Sequence, residues 1–151
     1  MDRGAWQEYL KLLGNVGRTM EQLTEIERKK TDAVGRSDLN AVEECMKQEQ
    51  VLSLSLRGYD QKRDAMLAKL GIPGTSLTQL ERHSPEGLEM ETKRAAEALR
   101  GQYERFQAAS KVARSALECN LRVIERLRKE QEAQQGPEIP REQGAGYDFR
   151  G

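Results

Sequence analysis

From Trp6 onward, apolar side chains recur at Tyr9, Leu13, Val16, Met20 and Leu23, an alternating three–four spacing that lines them along one face of a helix. The stripe fades after Ile26 into Glu27-Arg28-Lys29-Lys30, and Gly35-Arg36-Ser37-Asp38 offers a glycine stop followed by two candidate N-caps. A first helix over about 5–34 is predicted. Leu39, Val42, Met46, Leu52, Leu56, Tyr59, Met66 and Leu70 form a second stripe, interrupted on the same face by Glu49 and Arg63, and predict a helix over about 38–70. Gly71-Ile72-Pro73-Gly74 ends it, with a glycine for the left-handed position, an apolar residue to close a Schellman motif and a proline that cannot continue the turn. The run Val51-Leu52-Ser53-Leu54-Ser55-Leu56 alternates with period two, but helical pattern flanks it on both sides and no partner strand exists, so it belongs to the helix.

Ser76-Leu77-Thr78-Gln79 fits a capping box, which places a short helical turn in the second connection. Ser84-Pro85 reads as an N-cap followed by proline at the first helical position and opens a third helix over about 85–135. Its stripe is Leu88, Ala95, Leu99, Tyr103, Phe106, Ala113, Leu117, Ile124 and Leu127, with Asn120 at a seam position. The expected fold is all-α: an antiparallel bundle of three long helices with coiled-coil-like packing, the third helix longest. Residues 1–135 form the bundle. The stretch 136–151, rich in Gly, Pro, Glu and Gln, is expected to be a flexible tail.

At 1.5 Å per residue the three helices measure roughly 45, 50 and 75 Å, so the third outruns its neighbours. It passes the top of the bundle near Leu117 or Glu118 and projects about 17 residues beyond it. Leu121, Ile124 and Leu127 lie on that projection and Asn120 near its base. An apolar stripe with no partner in its own chain is a binding surface or the seam of an oligomer. A loose basic stripe of Lys111, Arg114, Arg122, Arg126 and Lys129 borders it and is suited to orient an acidic partner segment. The candidate surface is therefore Leu117, Asn120, Leu121, Ile124 and Leu127, with Arg122 and Arg126 beside it.

Composition narrows the function classes. Charged residues make up 33% of the chain, 25 basic against 25 acidic, so the net charge is zero and the general attraction to nucleic acid is missing. Aromatics reach only 5%, too few for a sandwich or barrel. Two cysteines, Cys45 and Cys119, suit a reducing compartment and cannot build a disulfide framework or a zinc site. The N-terminus carries no signal-peptide pattern and no run approaches the roughly 20 apolar residues of a membrane span, so a cytoplasmic protein without membrane insertion is expected.

Catalytic chemistry finds no foothold. His83 is the sole histidine and precedes a helix start, where an exposed loop residue is the ordinary outcome. Ser84 beside it is better used as a cap than as a nucleophile. Glu43 and Glu44 point about 100° apart on a helix, and no glycine-rich phosphate loop follows a strand. No catalytic, metal or cofactor site is predicted. Gly14 and Gly17, one turn apart within the first helix, suggest a close helix crossing or a bend.

With the helices placed, the sequence resembles the FlgN-type flagellar export chaperones. The resemblance rests on Asp38-Leu39-Asn40-Ala41-Val42 opening the second helix, then Glu49-Gln50, then the run Arg63-Asp64-Ala65-Met66-Leu67-Ala68-Lys69-Leu70-Gly71. Asn120-Leu121-Arg122-Val123-Ile124 and Tyr147-Asp148-Phe149-Arg150-Gly151 continue it. It implies no enzymatic activity. The clients it implies are flagellar hook-associated (hook–filament junction) proteins, held by their C-terminal helical segment on the C-terminal part of the chaperone and delivered to the cytoplasmic domain of the type III export gate. Tyr147 is the nearest counterpart of a gate-docking tyrosine. A different class stays open: a cytoplasmic coiled-coil scaffold or tether that oligomerises through the third helix, with Asn120 setting the register of a homodimer.

Overall fold

The computed structural model describes residues 2–135. Helices α1 (Arg3–Gly35) and α2 (Leu39–Lys69) are followed by a short α3 (Leu77–Leu80), a 3-10 turn over Glu81–His83, and α4 (Glu89–Gln135). No strand occurs among the described residues. The tail 136–151 and with it Tyr147 lie outside them.

Local chemistry sets the helix ends. The Asp2 carboxylate accepts from the Gly4 amide at 2.9 Å and starts α1. At its other end the expected glycine stop is displaced: Gly35 is still helical, and the left-handed residue is Ser37, at φ 56°. The Ser37 amide donates to Val34 O at 3.0 Å and that of Asp38 to Ala33 O at 2.9 Å, the paired bonds of a Schellman motif. Asp38 then caps α2 by accepting from the Ala41 amide at 3.1 Å. A connection this short leaves only Ser37 to take the reversing conformation, whatever its side chain. The end of α2 follows the expected motif, with Gly71 at φ 77°, Ile72 N bonded to Leu67 O and Gly71 N to Ala68 O.

The third long helix begins later than predicted. The Ser84 hydroxyl donates back to Glu81 O at 2.7 Å and caps nothing. Pro85 to Leu88 form a turn closed by Leu88 N to Pro85 O, with Gly87 at φ 88°, a conformation no right-handed helix can contain. Helix α4 starts beyond it, where the Gly87 amide donates to the Glu89 carboxylate at 2.9 Å. The Arg3 guanidinium donates to Glu86 O and ties this turn to the start of α1. The capping box at Ser76 does not form either; its hydroxyl pairs with Thr78 Oγ1 at 2.9 Å, and α3 still forms.

Helix α1 is the centre of the molecule. Trp6, Tyr9, Leu13, Val16, Met20 and Leu23 are all buried. Helix α2 runs antiparallel to it, with Arg63 Nε donating to Tyr9 Oη at 3.0 Å near one end and Val42 packed on Ala33 and Val34 at the other. Helix α4 runs parallel to α1: Trp6 Nε1 donates to Thr92 Oγ1 at 2.9 Å, Gln102 Nε2 to Glu21 Oε1 at 2.8 Å, and the Asn120 amide lies 3.5 Å from Val34 O. No Cα of α2 comes within 8 Å of one in α4. At Gly17 a Cβ atom would sit 2.0 Å from Gln102 Oε1, so the Gln102 amide lies against the backbone of α1 there, whereas Gly14 faces open space. Two stripe members depart from expectation. Leu39, the first residue of α2, lies exposed beside the end of α1, and Tyr103 is 42% exposed because its ring lines the gap between α2 and α4.

Candidate functional site

Beyond Asn120, α4 has no other helix beside it among the described residues. Residues 121–135 extend roughly 22 Å at 1.5 Å per residue. Leu121, Ile124 and Leu127 are 62%, 50% and 54% exposed. The two residues at the base behave otherwise. Leu117 packs on the Ala33–Val34–Val42 cluster, and Asn120 is half-buried against the end of α1, so both serve the fold before they could serve a partner. Val123 is 47% exposed and falls outside the strict three–four stripe, so spacing alone does not reveal it. At 100° per residue, Val123, Leu127, Ile124 and Leu121 span roughly 160° of the helix circumference, a face wide enough to seat another helix.

The basic residues are not all placed to flank this face. At the same 100° spacing Arg126 falls about 60° outside the face's Val123 edge, and Arg122 about 40° further round, opposite the face. Arg128, outside the basic stripe read from the sequence, falls at the Leu121 edge and pairs with Glu125 at 3.8 Å. Of the candidate residues, the structure thus brings Leu121, Ile124 and Leu127 together on one exposed surface and sets Arg122 and Arg126 apart.

A second cluster lies inside the helices. The α1 stripe continues past Leu23 with unbroken three–four spacing through Glu27, Lys30 and Val34, and both charged members are buried. They meet Glu49 of α2, which is fully buried: Lys30 Nζ lies 2.5 Å from Glu49 Oε1 and 3.4 Å from Glu27 Oε1. Burial, reinforced by the hydrogen bond and negative charge of Glu49, pushes the Glu27 carboxyl up to about 7 against the opposing pull of Lys30. The Cys45 thiol next to it is pushed up as well, chiefly by burial. This polar layer separates the Met20–Leu23–Phe106 cluster from the Ala33–Val34–Val42 cluster. The continued spacing is its sequence signal, masked because charge at a seam position looks the same as the end of a stripe.

His83, Glu43 and Glu44 are exposed, and among the described residues no group of three or more His, Cys, Asp or Glu side chains could hold a metal ion. Nor is any helix there long and apolar enough to cross a membrane. The surface on offer is a projecting amphipathic helix. A family model described as FlgN protein matches residues 1–134. The chain belongs to the FlgN family of flagellar export chaperones. The FlgN match takes in all four helices and the exposed end of α4. No curated protein and no solved structure matches the chain.

Proposed function

We propose that this FlgN-family protein is a cytoplasmic, non-enzymatic chaperone that binds flagellar hook-associated proteins and delivers them to the type III export apparatus. The observation that carries the reading is the projecting face of α4, where Leu121, Ile124 and Leu127 are each at least half exposed. A client's C-terminal helical segment lays its apolar side on that face, and each Leu or Ile it covers contributes up to about 1.5–3 kcal/mol. Arg128 at its Leu121 edge steers acidic groups on the client. Docking at the export gate falls to the tail, with Tyr147 as the candidate.

The scaffold alternative uses the same face to join two copies. Its register-setting residue, Asn120, is engaged with Val34 O of its own chain, which weakens that reading. Size-exclusion chromatography of the full chain with a purified hook-associated protein separates the two. The chaperone reading expects a stable complex that is lost when the client's C-terminal segment is removed. A homodimer that ignores the client is the scaffold outcome and overturns the proposal.

A further inference from the structure

Helix α1 carries α2 and α4 on either side without letting their backbones approach, and this leaves a trough whose floor is α1. A cleft of about 510 Å³ lies there, with Met20 and Leu23 beneath it, Leu56 on one wall and Leu99, Tyr103 and Phe106 on the other. Leu77 of α3 lines it as well. A second depression of about 340 Å³, lined by α4 residues alone, adjoins the cleft at Tyr103 and Phe106 and reaches Lys111 and Arg114. From Leu99 to Arg114 the two together run roughly 22 Å, about four turns of helix. Helices pack with axes 8–10 Å apart, so two flanking helices that fail to meet over a shared neighbour leave the place of a fourth.

The lining charges are one-sided. Arg57 and Arg63 stand along the α2 rim and Lys111 along α4, and among the described lining residues the one carboxylate is that of Asp60. That bias arises in a chain whose net charge is zero. A second copy is the competing occupant, and sedimentation of the free chain tests it.

We propose that this trough, separate from the projecting end of α4, is a docking site for an acidic amphipathic helix of about fifteen residues from a partner protein. The apolar side of that helix covers Leu56, Leu77 and Tyr103, and its flanking carboxylates meet Arg57, Arg63 and Lys111. Burying an apolar seam supplies the affinity and the basic rim selects the sign of the partner.

The test uses the full chain and two synthetic helical peptides of about fifteen residues, identical in their Leu seam and flanked by Glu in one and by Lys in the other. A photoactivatable group at one seam position reports where each binds. The Glu-flanked peptide is expected to bind one to one and to crosslink to residues 53–60 and 99–107 of the unsubstituted protein. The double charge reversal Arg57→Glu and Lys111→Glu, both at exposed positions, should weaken it by about tenfold or more and improve binding of the Lys-flanked twin. Substituting Leu121, Ile124 and Leu127 with Ser should change neither affinity. Equal binding of the two peptides, binding of neither, crosslinks confined to 121–135, or self-association through the trough in sedimentation would each overturn the proposal. Because the crosslinks are read on the unsubstituted chain, the outcome does not depend on how the double variant folds.

Discussion

The two ends of α4 share a sequence pattern and meet opposite surroundings. In the first, Leu99, Phe106 and Ala113 are 6%, 4% and 0% exposed against α1; in the second, Leu121, Ile124 and Leu127 are half exposed or more. Nothing in the apolar spacing marks the transition. What changes is the neighbour: α1 stops at Gly35, and α4 goes on for residues 121–135 after it. An amphipathic stripe therefore reports that a face is made to be covered, and relative helix length decides whether the chain covers it itself.

Substitution along one helix exposes that contrast most strongly. Phe106→Ala should cost about 3–5 kcal/mol in chemical denaturation, since the buried ring leaves a cavity between Met20 and Leu23. Leu127→Ala on the same helix should stay within about 0.5 kcal/mol of the parent. Equal costs would mean that the projecting end is packed.

The next effect distinguishes the interior from the projection by pH. The Glu27 carboxyl has an ordinary value of 4.5 and is pushed up to about 7 in the fold. Between those values the native state binds more protons than the unfolded chain, so stability falls as pH rises through that window and levels off above it. The loss is on the order of 3 kcal/mol. Thermal melts from pH 4 to 8 should show the decline in the parent and a flatter profile in Glu27→Gln. A variant of the projecting end should keep the parent slope, because the buried layer does not reach it.

The smallest effect sits where α1 ends. Ser37→Gly relieves a left-handed backbone at φ 56° and should raise stability by about 1 kcal/mol in urea titration. Client binding should be unaltered, since the change lies in the connection and not on the projecting face.

Much of this architecture is legible in the chain. The stripe from Trp6 to Leu23 marks the central helix, Gly71 and Ile72 mark the end of α2, and the length mismatch places the projection to within a few residues. The departures have a common cause: tertiary geometry chooses among residues that local chemistry leaves equivalent. Ser37 takes the left-handed position although Gly35 suits it better, because the three-residue connection has to set Asp38 as a cap. Gly87 breaks the helix that Pro85 is suited to open. Glu27 and Lys30 read as solvent-facing until Glu49 from a distant segment closes over them. On the candidate surface, the spacing identifies Leu121, Ile124 and Leu127, but nearness in sequence brings in Arg122 and Arg126, which the helical phase turns away, and passes over Arg128.

The central claim is that the projecting face of α4 holds the client and does nothing for the fold. Calorimetric titration of a purified hook-associated protein into the variant with Leu121, Ile124 and Leu127 replaced by Ser, paired with a melt of that variant, tests it most directly. The account predicts loss of binding with helicity and melting temperature unchanged. Binding that survives, or a variant that melts well below the parent, would contradict it.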